Sequence, residues 1–296
     1  MTLREKIEAK NGLLFVSPWL IGFAAFVAYP ILASLYFSFC DYSVLSPPRW
    51  VGLYNYMEIL RTPVAWRAVV RTCLFAFIAL PLSLLASLAL ALLLEKQDRG
   101  VDGFRTAFFL PALVPQVAVA ALLMWIFATD GVINSVLTGV GLPGIPWLNR
   151  SMILVTILIM MVWTVGHAMV IFIAGLHDVP HELYESAELD GAGYLRRVLH
   201  ISIPMISPVI LFNLVMGIIA ALGQFTIPYF ITSSATTQEL GDAANFIATE
   251  INGQAMQNLR MGYASALSWV LLVAVVVLTG LVLRLSARVV YYREEG

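Results

Sequence analysis

Charge is what this sequence has least of. Of 296 residues only 12% are Asp, Glu, Lys or Arg, about half the roughly 25% of a soluble globular domain. That shortage excludes an ordinary water-soluble domain and a charge-rich disordered chain. Nor is there a basic excess. The 17 basic residues against 18 acidic leave a formal net charge of −1, with no footprint for a nucleic-acid backbone. There are three lysines, Lys6, Lys10 and Lys96, and none follows a glycine. A phosphate-cradling G-x-x-x-x-G-K-[ST] loop is therefore impossible, and any ATP that is used must be bound by another chain. Cys40 and Cys73 are too few for a disulfide framework and sit in no metal-ligand spacing. His177 and His181 are four apart, but Pro180 between them disfavours a regular helix, so they read as loop residues and no metal site is assigned. The serines, histidines and acids form no nucleophile–base motif, so no catalytic residue is assigned either.

What the chain has is apolar length. Hydrophobic residues make up 60% and the mean hydropathy is +0.87. Charge is missing from 11–40, 72–94, 106–129, 151–177, 198–238 and 261–283. A bilayer core about 30 Å thick takes roughly 20 helical residues to cross, so five of these runs fit one span each. The 198–238 run could hold two, but its end, Ile231-Thr-Ser-Ser-Ala-Thr-Thr-Gln238, is too polar for lipid. The expectation is an all-α polytopic membrane protein, one domain over 1–296. Its six spans fall near 13–40, 70–94, 105–128, 151–174, 204–231 and 262–285. Residues 131–149 hold Gly131, Gly139, Gly141, Pro143, Gly144 and Pro146; such a stretch would leave backbone groups unpaired in lipid and belongs at an interface.

Arginine and lysine set the orientation. With the N-terminus inside, the cytoplasmic side takes Arg4, Lys6, Lys10, Lys96, Arg99, Arg105, Arg196, Arg197, Arg284, Arg288 and Arg293. The outer side takes Arg49, Arg61, Arg67, Arg71, Arg150 and Arg260. Eleven against six favours cytoplasmic termini. The first run is too long for a signal peptide and lacks a clear cleavage site, so it reads as a retained helix. Three longer polar insertions remain: outer loops near 41–67 and 232–260, and a cytoplasmic segment near 178–203.

That cytoplasmic segment carries a pattern. Pro180 suits a helix start, and Glu182, Glu185, Glu188 and Asp190 fill the opening turns, where the helix dipole favours acids. Ser186, Ala187 and Gly191 leave a small surface that another backbone can approach. Gly191-Ala-Gly193 breaks the helix, and a second short helix with Arg196 and Arg197 leads to Ile203-Pro204. On these grounds alone a solvated acidic helix and a docking helix fit equally well.

The spacing of Glu185-Ser186-Ala187, Gly191, Ile201 and Ile203-Pro204 resembles the EAA motif of ABC-importer permeases: Glu-Ala-Ala, three residues, Gly, nine residues, Ile, one residue, Leu-Pro. Ser186 stands for the second Ala and Ile203 for Leu; Asp190-Gly191-Ala192 matches the longer Asp-Gly-Ala form. The resemblance extends to the carbohydrate-uptake branch, the maltose-type first permease. Tyr29-Pro30, Ser38-Phe39, Gly52-Leu-Tyr-Asn-Tyr56, Phe109-Leu-Pro111 with Trp125, Ala174-Gly-Leu176 and Met261-Gly-Tyr-Ala-Ser-Ala-Leu-Ser-Trp269 carry it. The Gly-Gly-Pro often found after the fifth span is replaced by Ile231-Thr-Ser-Ser234.

The resemblance implies a type I permease fold in a bacterial inner membrane. It also implies a set of partners: a second homologous permease, an ATPase dimer that holds ATP and Mg, and an extracytoplasmic solute-binding protein. The cofactor sits on the partner ATPase and none on this chain. Glu185, Ser186, Ala187, Asp190, Gly191 and Ala192 would dock to the ATPase, with Glu185 meeting a basic residue there and Gly191 turning the chain between two coupling helices.

Polar residues within spans usually face a bundle interior. Trp163, Thr164 and His167 follow Met160 at i+3, i+4 and i+7; Asn213, Gly217 and Gln224 make a stripe with Ala221 on the fifth span. An aromatic face with donors and acceptors suits a sugar, and the resemblance places sugar contacts on these two spans. Helix–helix glue is the other reading of the same residues. No span carries Asp or Glu, so a stand-alone ion-coupled transporter has no relay to point at. A glycerol-phosphate or polyol importer is the nearer alternative to a sugar importer.

Overall fold

A computed structural model of the chain describes residues 3–96, 100–234 and 238–286. Arg99, Arg288 and Arg293, used for the orientation, and Ala235-Thr-Thr237 of the polar stretch lie outside the described residues. The chain divides into two compact units: one runs to Trp66 and takes Glu250–Val270, the other takes Arg67–Thr249 and the chain from Leu271.

In the first unit α1 (Leu3–Phe23) passes through a π turn, Ala24–Ala28, into α2 (Tyr29–Ser38). The π turn has a local cause. Pro30 offers no N–H and its ring crowds the carbonyl four residues back, so the helix widens there and Tyr29 N–H reaches Ala24 instead. The expected outer loop 41–67 is not irregular: β1 (Cys40–Ser43) and β2 (Ser46–Trp50) form an antiparallel hairpin with Asp41 opposite Arg49. Gly52, at φ +61, turns the chain into α3 (Tyr54–Arg61). Asn55 Nδ2 donates to the carbonyls of Ser38 and Cys40, both at 2.9 Å, and Tyr56 Oη donates to Ser38 Oγ at 2.8 Å. Gly262 meets the same spot: a Cβ there would stand 2.0 Å from the Cys40 carbonyl oxygen. Two separated motif fragments, Gly52–Tyr56 and Met261–Trp269, are thus parts of one packing site. Arg260 clamps both Glu58 oxygens at 2.7 and 2.6 Å beside it.

In the second unit the long α4 (Pro63–Leu94), whose first four residues belong to the first unit, is followed by α5 (Val101–Leu113), α6 (Gln116–Ile126), α7 (Val132–Gly139), α8 (Ile153–Val162) and α9 (Gly166–His177). Next come α10 (His181–Leu189), α11 (Tyr194–Arg197), a π turn at Val198–Ser202 and α12 (Ile203–Met205). The last part holds α13 (Ser207–Leu222), α14 (Thr226–Ser234), α15 (Gln238–Ala244), α16 (Ile247–Asn252) and α17 (Met261–Ser286), the last two reaching into the first unit's residues. Pro204 repeats the Pro30 device, with a π turn over the residue four back. One core gathers Phe75, Val119, Leu123, Ile153, Ile157, Met160, Ile227 and Phe246; a second gathers Ala91, Met169, Phe172, Leu176 and Ile206. The Gly/Pro-rich 131–149 holds α7 and closes around Asn134. Its amide donates to Thr129 and Ile145 carbonyls at 3.1 and 3.0 Å and accepts from Ile145 N–H at 2.9 Å, which satisfies backbone groups that lipid would leave unpaired.

Among the described residues four helices are long and apolar enough to cross a membrane: Lys10–Ser38, Pro63–Leu94, Ser207–Ser234 and Met261–Ser286. Two bent pairs bring the number to six if each is one span. In two of the six expected spans the helix is not continuous. The third run is α5 and α6 at 102° to each other, the fourth α8 and α9 at 43°. Pro115 explains the first, because it holds Val114 extended (φ −76, ψ 134). At the second, two successive i−3 hydrogen bonds, from Thr164 and Val165 N–H, and the Thr164 hydroxyl on the Met161 carbonyl (2.9 Å) tighten and turn the backbone. The second span starts earlier, at Pro63, and the helix through the fifth ends at Ser234 rather than near 231.

Candidate functional site

The α10–α11 turn is built from its own sequence. Pro180 (φ −58, ψ 128) precedes the first turn, and Glu182 lies in it, where the dipole favours an acid. The helix ends in a complete Schellman cap. Ala192 N–H reaches the Ala187 carbonyl at 2.8 Å and Gly191 N–H reaches Glu188 at 3.0 Å, with Gly191 at φ +75. The cap asks for a residue tolerant of positive φ at 191, which glycine supplies, four places after the Ala187 carbonyl that closes it. Glu185, Ser186, Asp190 and Gly191 are exposed and Ala187 and Ala192 half-buried. Leu189 is 91% and Leu195 72% exposed. Sequence reading passed over these two leucines; their signal was an apolar residue on each side of the glycine turn.

Below this surface the turn is tied down at several points. Tyr184 and Ser202 share a hydroxyl hydrogen bond at 2.9 Å, and Arg197 pairs with Glu188. Tyr194 Oη donates to the Leu92 carbonyl at 3.4 Å, and the His177 ring bonds the Glu95 carbonyl at 3.0 Å. Arg105 also holds the end of α4, donating to Leu94 and Glu95 carbonyls at 2.8 and 3.0 Å. His177 and His181, expected in a loop, are both helical: Pro180 breaks the helix only between them, so His177 ends α9 and His181 opens α10 with its ring edge-on to Tyr184 at 6.2 Å. A cavity of about 700 Å³ lies under the turn, lined in part by Glu95, His181, Tyr184, Glu185, Tyr194 and Arg197. Burial pushes the Glu95 carboxyl up from its usual range, against the opposing pull of His177 and Lys96. Burial and the Glu95 charge also push the Tyr194 hydroxyl up, while Arg197 opposes.

The expected solute-path residues do not form two simple stripes. Met160 is fully buried in the core, whereas Trp163, Thr164 and His167 are exposed. The bend between α8 and α9 separates them, so counting 3.6 per turn across it fails. Trp163, at the bend, lines a groove of about 650 Å³ with Phe104, Phe108, Pro111 and Ile159. Close approach is built in beside it: a Cβ on Gly166 would stand 2.1 Å from the Phe108 carbonyl oxygen. On α13 Asn213 is buried and donates to the Val209 carbonyl of its own helix at 3.0 Å. Gly217 lies under Leu80, whose Cδ1 would be 2.2 Å from a Cβ. Gln224 is half-buried but stands in the gap between α13 and α14, off the helical register of Asn213.

Sequence reading missed Gln116 and Thr226. Each opens the helix that follows an interruption, and Thr226 Oγ1 donates to Gln116 Oε1 at 3.3 Å. Two interruptions therefore meet through polar side chains, and Pro115 was the available signal.

Residues 50–291 match the family described as the binding-protein-dependent transport system inner membrane component. The chain belongs to this family. As a permease of this kind it is similar to the probable ABC transporter permease protein YesP of Bacillus subtilis, 36% identical over 96% of this chain and 93% of that one. It is also similar to the sulfoquinovosyl glycerol transport system permease SmoG of Agrobacterium fabrum, 31% identical over 93% and 89%. The fold of the permease matches a chain of a bacterial ABC transporter involved in the import of the acidic polysaccharide alginate. The TM-score is 0.85 at 21% identity, over 98% of this chain and 100% of that one.

Proposed function

We propose that this permease forms half of the translocation path for a sugar or oligosaccharide and takes its driving force from a separate ATPase dimer. A second homologous permease supplies the other half, an extracytoplasmic binding protein delivers the solute, and ATP and Mg stay on the ATPase. The chain crosses the bacterial inner membrane six times with both termini in the cytoplasm. The sugar class rests on the likeness to a sulfoquinovosyl glycerol permease and on the exposed Trp163 ring at a helix interruption. An aromatic face stacks on a sugar ring while the hydroxyl of Thr164 beside it, and the amide of Gln224 at another helix interruption, offer donors and acceptors.

One observation carries the coupling role: a capped turn that follows directly on α9 exposes Glu185, Leu189 and Leu195, while Tyr194 bonds it to the end of α4, to which the His177 ring ties the end of α9. Exposed apolar side chains beside an acid fit a protein groove better than water. A push on such a turn is transmitted to two spans together. The test is ATP hydrolysis by the chain purified with its co-expressed partners, measured against a panel of sugars with the binding protein present. One sugar should stimulate hydrolysis several-fold; an ATPase that never co-purifies would defeat the proposal.

A further inference from the structure

We infer that α3 is an interfacial helix whose exposed apolar row, Leu53, Met57 and Leu60, is seated among the acyl chains of one membrane leaflet. On the topology proposed above this is the outer leaflet. The helix has two faces. Asn55 and Ile59, four apart, are buried: Asn55 bonds the end of α2, and Ile59 joins Ala65, Tyr263, Ala266 and Leu267 in a core. Leu53, Met57 and Leu60 stand at i, i+4 and i+7 and fall on the opposite face. Leu53 is 61% and Leu60 73% exposed. Such a row is costly to leave in water. A helix with one apolar face and polar groups at its margin is suited to lie in a bilayer interface.

Where the helix is held says what covers the row. Asn55 Nδ2 donates to the carbonyls of Ser38 and Cys40, so the first turn of α3 sits at the end of the apolar helix Lys10–Ser38. The last residue of α3 is Arg61, and two residues later Pro63 opens the next apolar helix, Pro63–Leu94. Both ends of a helix about 12 Å long therefore lie where spans end. The helix runs along the membrane boundary instead of away from it. That boundary carries its own markers. Trp50 stacks on Phe39 at 5.4 Å and lies 5.8 Å from Tyr36 near the end of α2, and Tyr54 is exposed next to Leu53. Rings that are apolar with one polar atom settle at headgroup level. Arg61 is exposed in the last turn, on a stem long enough to keep its charge among the headgroups. Glu58, bonded to Arg260 just before α17, extends the anchor. Lipid against α3 thus fixes the depth at which α2 ends and α17 begins.

The inference needs the chain to stand in a bilayer, as an inner membrane component does, and nothing of its cargo, so it fails separately from the transport reading. The test uses the full chain in nanodiscs of phosphatidylethanolamine and phosphatidylglycerol. A nitroxide is attached at Met57→Cys, and in a second chain at Leu60→Cys, with the exposed Cys73 replaced by Ser; Cys40 is buried. Electron paramagnetic resonance then compares collisions with oxygen, which concentrates among acyl chains, and with a water-soluble nickel complex. Oxygen collisions should exceed nickel collisions several-fold at both positions, in the chain alone and in the complex co-purified with its partners. If no complex co-purifies, the chain alone decides. Nickel collisions equal to or above those of oxygen place the row in water and overturn the inference. So does a label that neither reagent reaches in the complex, because protein then covers the row.

Discussion

The α10–α11 turn and the three interrupted spans are both places where helix stops, and they stop for different reasons. At α10 every bond of the cap lies between residues 187 and 192, so the turn belongs to its own short sequence. At α8–α9 the backbone turns where Gly166 lies against Phe108 of α5, some sixty residues away. At α13–α14 the new helix opens on a hydrogen bond to Gln116. One stop is local and faces outward; the others are tertiary and face their own unit. A segment proposed to meet another protein keeps its shape through its own cap. A segment proposed to line a path is shaped by its neighbours.

The sharpest way to break that comparison is to add one methyl group at each kind of stop. Gly166→Ala drives a Cβ into a backbone carbonyl and should cost about 3 kcal/mol, seen as loss of the monodisperse peak in size-exclusion chromatography of the extracted chain. Gly191→Ala meets nothing within 4 Å and suffers only its positive φ, about 1 kcal/mol, so that chain should extract normally. Equal losses would erase the distinction. Next in size are the proposed path residues. Trp163→Ala with Gln224→Ala should lower sugar uptake by about tenfold in cells expressing all partners, with the chain's amount in the membrane unchanged. Unaltered uptake affinity and rate would remove these residues from the path.

The smallest effect concerns Glu95, at the base of the turn. Its carboxyl is pushed up by burial, so just above the usual carboxylate range the folded chain holds a proton that the unfolded chain releases. Stability is therefore greatest below that range and falls as pH rises through the raised value. Glu95→Gln should flatten this part of the profile of thermal midpoint against pH; a profile as steep as wild type would assign the dependence to another group.

The same contrast decides what could be read from the sequence. Charge-free runs mark apolar helices because lipid excludes charge, and the α10–α11 stop was legible because its cap is contiguous. Glu185, Ala187 and Gly191 fell where their spacing put them. The Asn55 and Gly262 fragments were visible as separate motifs, but nothing in either says that both meet Cys40. The hairpin at Cys40–Trp50 was read as loop because its two strands are only four and five residues long. Stripes drawn through Trp163 and Gln224 failed because helical periodicity holds only while the helix continues. At Pro115 the interruption has a residue to announce it. At Trp163–Val165 it has only a threonine hydroxyl and a neighbouring helix.

The most direct measurement on the central claim is capture of the partner ATPase by this permease with Glu185→Lys. The substitution reverses one exposed charge on a turn whose cap it does not touch. The account predicts a chain present in the membrane at its normal amount, with its Schellman turn intact, and at least tenfold less ATPase retained on affinity purification. ATPase captured at the wild-type level by that variant would contradict it.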